Sequence, residues 1–249
     1  MKMQLLSIVR RVIPLWARRG IYRYTRWPPV GTVRFGSLRR LVPFSRDWGS
    51  SRGLPIDRYY IEQFLSAHAA DIRGRVLEIK DDTYTRKFGG ERVTRSDVLH
   101  KVEGNPMATI VADLTCADGL SSDSFDCIIC TQTLQFIYDV KAAIATLHRI
   151  LKPGGVLLVT VPGISHISRY DMEHWGDYWR FTTLSACLLF EEAFPTANVT
   201  VRAYGNVLSA IAFLHGLASG ELRQKELDSL DPDYEVLIAV RAVKPEAAA

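Results

Sequence analysis

The chain has 249 residues, 47% of them hydrophobic and 23% charged, with a formal net charge of +4. That is the composition of a globular domain with an ample core, and no apolar run approaches the roughly 18 residues of a membrane-spanning helix. Four cysteines (Cys116, Cys127, Cys130 and Cys187) are too few for a disulfide scaffold, so a reducing, cytoplasmic compartment is expected.

The charge is unevenly placed. Residues 1–58 hold thirteen Lys and Arg against two Asp and Glu, and the remainder holds eighteen against twenty-five. Leu5, Leu6, Ile8, Val9, Val12 and Ile13 fit one face of a short basic amphipathic helix. Arg10-Arg11 and Pro14 interrupt it and no small-residue cleavage site follows, so no signal peptide is expected. Residues 21–54 are rich in Arg, aromatics, Pro and Gly and read as irregular. Residues 1–54 are therefore expected to be a basic arm. It either packs on its own domain or attaches peripherally to an anionic surface, the cytoplasmic face of a membrane or an acidic protein partner. Tyr22, Tyr24 and Trp27 among the arginines make nucleic acid a less favoured alternative.

A domain is expected over 55–249. Pro55, Asp57 and the spacing of Tyr60, Ile61, Phe64 and Leu65 predict a helix from about 56 to 70. Strands are predicted at 76–79, 92–96, 109–112, 125–131, 156–161, 199–204 and 234–242. Helices are predicted at 141–151, 184–194 and around 207–217, with Pro153-Gly154-Gly155 turning the first of these into the fifth strand. Alternating strands and helices imply an α/β fold with a doubly wound, mostly parallel seven-stranded sheet, Rossmann-like in layout. Cys127 and Cys130 lie within an apolar strand and read as core residues rather than a metal or redox pair.

In such a sheet, ligands bind beyond the carboxyl ends of the strands. Asp97, placed at the end of the second strand with Val98, has the spacing of a carboxylate that accepts ribose hydroxyls. Asp113 and Leu114, after the third strand, suit an adenine amino group and ring. A pyrophosphate site would need a glycine-rich turn after Ile79; the chain has Lys80-Asp81-Asp82 there, and two acids repel phosphate. They favour a cationic ligand without phosphate, and S-adenosylmethionine carries a sulfonium and an ammonium.

Val76-Leu77-Glu78-Ile79, Asp97, Ala112-Asp113-Leu114, Ser124-Phe125-Asp126, the Leu134–Ile137 stretch and Ile150–Gly155 together resemble class I S-adenosylmethionine-dependent methyltransferases, within them the type 11 branch. Trp175–Thr182 is similar to a signature of members linked to glycan and cell-envelope biosynthesis. The resemblance implies methyl transfer from S-adenosylmethionine, with Glu78, Ile79, Lys80, Asp97, Val98, Asp113, Leu114, Thr131 and Gln132 around the cofactor. It also implies that Arg52 and Tyr59 close over its methionine end. Two departures stand out: Lys80 replaces a glycine, and Gln135 stands where many relatives have Glu-His.

Methyl transfer needs alignment and exclusion of water more than covalent help, and a hydroxyl acceptor gains from a general base. An insertion at 163–182 is expected to form a lid that supplies these groups. His166 or His174 is the candidate base, and Tyr170, Trp175, Tyr178, Trp179 and Arg180 are the candidate acceptor-binding residues. No metal-ligand spacing and no nucleophile-elbow signature is present, so neither a metal nor hydrolase chemistry is expected. The expected activity is O-methylation of a saccharide or glycoconjugate. A small natural product or lipid acceptor, or a non-catalytic scaffold with this fold, are the alternatives.

Overall fold

A computed structural model describes Pro14, Ala17 and residues 27–246. Two compact units are formed, Met1–Val42 and Pro43–Ala249. The larger therefore begins earlier than the boundary expected at residue 55. Within it, the amides of Phe44 and Ser45 donate to the His215 carbonyl at 2.8 and 3.3 Å. The smaller unit contains a 3-10 turn at Gly36–Leu38. The amphipathic helix expected before Pro14 lies outside the described residues.

The larger unit is an α/β sandwich. Helix α1 (Ile56–Ala67) leads into β1 (Gly74–Ile79), followed by β2 (Val93–His100), β3 (Ile110–Val111) and β4 (Phe125–Thr131). Helix α2 (Val140–Ile150) then precedes β5 (Leu151–Pro162). Next come α3 (Arg169–His174), α4 (Thr183–Glu191), β6 (Val199–Tyr204), α5 (Val207–Leu214), α6 (Gln224–Leu227) and β7 (Leu237–Val243). The seven strands lie in the order β3-β2-β1-β4-β5-β7-β6, and β7 runs antiparallel to the other six. This is the doubly wound sheet expected from the sequence.

Strand alternation divides the core between the two faces. Cys127 and Ile129 pack with α1 and α5, while Ile128 and Cys130 pack with α2 and α4. The two cysteines thus face opposite layers, and burial pushes the Cys130 thiol up to about 12. Near the start of β5 Gly154 adopts φ 74°, a conformation that costs a side-chain-bearing residue strain. Gly163 opens the segment after β5 where a Cβ would collide with the Glu235 carbonyl oxygen, so only glycine lets the chain leave the sheet there.

Candidate functional site

A cleft of about 750 Å³ opens at the carboxyl edge of the sheet. The ends of β1, β2 and β4 and the turn after β3 form its floor, the start of α1 and residues 47–50 one wall, and the segment 163–182 the other. Its volume falls in the range of small-molecule sites. Three of the four non-glycine residues with positive φ among the described residues line it: Trp48 (58°), Lys80 (81°) and Gln132 (47°). Backbone strain of this kind collects where a site must be held against local preference.

The β1 end is built around Glu78. Its two carboxylate oxygens accept the amides of Tyr84 (3.1 Å) and Thr85 (2.7 Å), folding the following loop back over the strand. Burial pushes its carboxyl up to about 7 despite those hydrogen bonds. Lys80 is exposed; its amide donates to Leu99 and its carbonyl accepts from Asn105 at 2.7 Å. Asp81 lines the cleft, whereas Asp82 is buried and paired with Arg86 at 2.6 Å. Across from this loop α1 contributes Asp57 and Arg58. Burial raises the Asp57 carboxyl, with the Arg58 charge opposing.

Asp97 does not take part. Strand β2 runs on to His100, so Asp97 sits mid-strand opposite Leu77 and is 1% exposed. It is held by Arg75 (2.7 Å) and Arg95 (3.1 Å). Burial raises its pKa, but those guanidinium hydrogen bonds outweigh it and hold the carboxyl low. Val98, packed in the sheet, is likewise off the cleft. The residues at the strand end are His100 and Lys101. Lys101 pairs with Asp113 at 3.0 Å, and Thr115 donates to the same carboxylate from its amide (2.9 Å) and hydroxyl (2.8 Å). Asp113 and Leu114 line the cleft, as do Ile79, Thr131 and Gln132.

Arg52 and Tyr59 were expected over the cofactor and are elsewhere. Arg52 pairs with Glu221, and the Tyr59 hydroxyl donates to Asp228 at 2.6 Å. Trp48, Asp57 and Arg58 take up that wall instead.

Of the two candidate histidines the lid brings only one to the cleft. The His166 ring stacks on Trp48 with centroids 4.6 Å apart. Its Nδ1 lies 3.0 Å from the Ile167 carbonyl, which makes Nδ1 the donor and leaves the lone pair on Nε2. That Nε2 is buried and has no hydrogen-bond partner among the described residues. His174 is exposed, does not line the cleft, and places Nδ1 2.7 Å from the Tyr170 carbonyl.

Arg180 is committed to holding the lid. It forms a two-pronged pair with Asp177 at 2.6 and 3.0 Å and donates to the His166 carbonyl at 2.7 Å. It lines the cleft but does not have the unpaired guanidinium expected for an anionic acceptor. Tyr170 and Trp175 line the cleft; Tyr178 and Trp179 do not. The Trp179 indole donates to the Ile137 carbonyl at 3.0 Å, and both rings pack on Tyr138. Gln135 donates to Gln132 at 3.1 Å, and its buried Oε1 has no partner among the described residues.

The donor set suits S-adenosylmethionine. Asp81 offers negative charge, and the buried carboxyls of Asp57 and Glu78 acceptor oxygens, for a sulfonium and an ammonium, Arg58 a partner for the carboxylate, and Ile79, Leu99 and Leu114 apolar surface for the base.

Residues 61–159 match a family model described as a methyltransferase domain. A SAM-dependent methyltransferase from Archaeoglobus fulgidus is similar in structure at 11% identity and a TM-score of 0.51, over 75% of this chain and 94% of that one. An S-adenosylmethionine-dependent methyltransferase from Mesorhizobium loti aligns at 15% identity and a TM-score of 0.49, over 76% and 98% of the two chains. The N-methyltransferase NodS from Bradyrhizobium japonicum aligns at 17% identity and a TM-score of 0.47, over 77% and 98%. No curated protein matches. The methyltransferase-domain match spans residues 61–159, and the likeness to the Archaeoglobus fulgidus protein is one of fold.

Proposed function

We propose that the protein methylates a hydroxyl of a saccharide or glycoconjugate, with His166 as general base. The observation that carries this reading is the His166 Nε2 lone pair, fixed by the Nδ1 contact to Ile167 and left without a partner beside the cleft. A hydroxyl oxygen is a poor nucleophile until its proton has an acceptor, and Nε2 is such an acceptor. Bound S-adenosylmethionine supplies an electrophilic methyl group. Asp57, Glu78 and Asp81 hold its cationic end, Arg58 its carboxylate, and Asp113 and Leu114 its base. The lid excludes water, and Trp48 keeps the imidazole in one orientation. Tyr170 and Trp175 give flat apolar faces with polar edges, the kind of surface that takes the C–H face of a sugar ring.

The test is His166→Gln. Methyl transfer to a panel of oligosaccharides and glycolipids, read by mass spectrometry, should fall by about a hundredfold or more, the usual contribution of a positioned base. Affinity for S-adenosylhomocysteine, read by calorimetry, should stay within about twofold of wild type. Retained turnover removes His166 from the chemistry. A second reading, a silent scaffold with this fold, is favoured by Lys80, whose side chain and positive φ stand at the first loop of the cleft. It requires that wild-type protein fail to bind S-adenosylhomocysteine.

A further inference from the structure

We infer that His100, and no carboxylate, reads the ribose hydroxyls of the cofactor in this protein; the inference rests on the S-adenosylmethionine reading of the cleft. Nucleoside sites in open α/β sheets take the ribose at the end of the second strand, where a hydrogen-bond acceptor meets the sugar hydroxyls. Here that strand ends at His100, and the acid with the expected spacing is three residues inside it. Asp97 is sequestered between Arg75, Arg95 and the Thr109 hydroxyl and is not among the cleft residues. The next acid that lines the cleft beyond β2, Asp113, follows β3, pairs with Lys101 and Thr115, and is the group assigned to the base.

His100 has the properties the position requires. It lines the cleft and is partly exposed. Its Nδ1 lies 2.7 Å from the Val102 carbonyl, which fixes the tautomer with the proton on Nδ1 and makes Nε2 an acceptor. The ring meets Trp175 of the lid edge to face, with centroids 5.7 Å apart and planes at 88°. A ribose held by His100 therefore touches the residue against which the lid is packed.

The experiment compares S-adenosylhomocysteine with its 2′-deoxy and 3′-deoxy analogues by calorimetry on the full chain. The variants are His100→Phe, which keeps a ring against Trp175 but removes both nitrogens, and His100→Glu. Wild type should bind the parent about tenfold more tightly than at least one deoxy analogue, the value of one hydrogen bond whose partner would otherwise be left unmade. His100→Phe should bind the parent about tenfold more weakly and lose the discrimination, because the deoxy analogue has nothing further to lose. His100→Glu should restore discrimination by supplying a carboxylate at the same place. The inference is overturned if wild type binds all three alike, or if His100→Phe still discriminates. Failure of wild type to bind S-adenosylhomocysteine at all overturns the cofactor reading itself, which is a distinct result.

Discussion

Lys80 holds a side chain on backbone at φ 81°, a conformation that costs an L-residue about 1 kcal/mol or more and a glycine very little. Its amide and carbonyl are both tied, to Leu99 and Asn105, so the loop cannot relax the strain away. Lys80→Gly should therefore stabilise the fold by about 1 kcal/mol, a rise in melting temperature of roughly 2–4 °C for a chain of this size. The same change removes a cation from a cleft that must take a sulfonium, so affinity for S-adenosylmethionine in calorimetry should also rise. An unchanged melting temperature and affinity would mean that the lysine is accommodated without cost. Glu78 works in the other direction. Burial raises its pKa from 4.5 to about 7, so between those values the folded chain keeps a proton that the unfolded chain gives up. Its contribution to stability is complete below about 4.5 and is lost as pH rises through about 7. Comparing melting temperatures at about pH 5 and about pH 8, wild type should show a larger fall than Glu78→Gln, which has no proton to exchange.

At the scale of elements, an ion pair on a buried carboxylate ties the lid together. The Asp177 side chain is 1% exposed and Arg180 28%. Burial alone would raise the Asp177 carboxyl, but the Arg180 hydrogen bonds and the Ser168 amide hold it low. Removing the guanidinium leaves a carboxylate buried without its partner, at a cost of about 3 kcal/mol. Arg180→Ala should expose 163–182 to limited proteolysis and lower the melting temperature, while Asp177→Ala combined with Arg180→Ala should cost less than the two single changes added together. The sequence made the lid's place legible, since its aromatic and charged residues follow an apolar strand. It left open whether Arg180 and Trp179 pin the lid or meet an acceptor, because their partners Asp177 and Ile137 declare themselves only when the segment folds back. Apolar runs make the sheet readable, but the Val98-Leu99 pair carries β2 beyond Asp97 to His100, so the acid with the nucleoside spacing lies inside the sheet. Trp48, Asp57, Arg58 and His100 left no local signal, since each gains its role from the wall it joins.

The whole molecule separates its charge. Residues 1–42 hold ten Lys and Arg and no Asp or Glu, and residues 43–249 hold twenty-one against twenty-seven. The division between the two compact units falls at the same place. A net charge of +4 therefore describes neither part, and the electrostatics that a partner meets depend on which part it meets. Each basic residue close to an anionic bilayer contributes about 1 kcal/mol, and that attraction decays within about 10 Å at ordinary salt. Among the described residues no helix is long and apolar enough to cross a membrane. We propose that the basic segment attaches the chain to an anionic membrane surface. The full chain should pellet with vesicles of phosphatidylcholine and phosphatidylglycerol in equal parts and stay in the supernatant with phosphatidylcholine alone. Pelleting should decline steeply as sodium chloride is raised, and changing Arg10, Arg11, Arg18 and Arg19 together to Glu should abolish it. Because the cleft lies wholly in the larger unit, the same variant should bind S-adenosylhomocysteine as wild type does. Absence of pelleting at low salt, or pelleting that is indifferent to both salt and the four substitutions, would leave the basic segment to a role within the protein or toward an acidic protein partner.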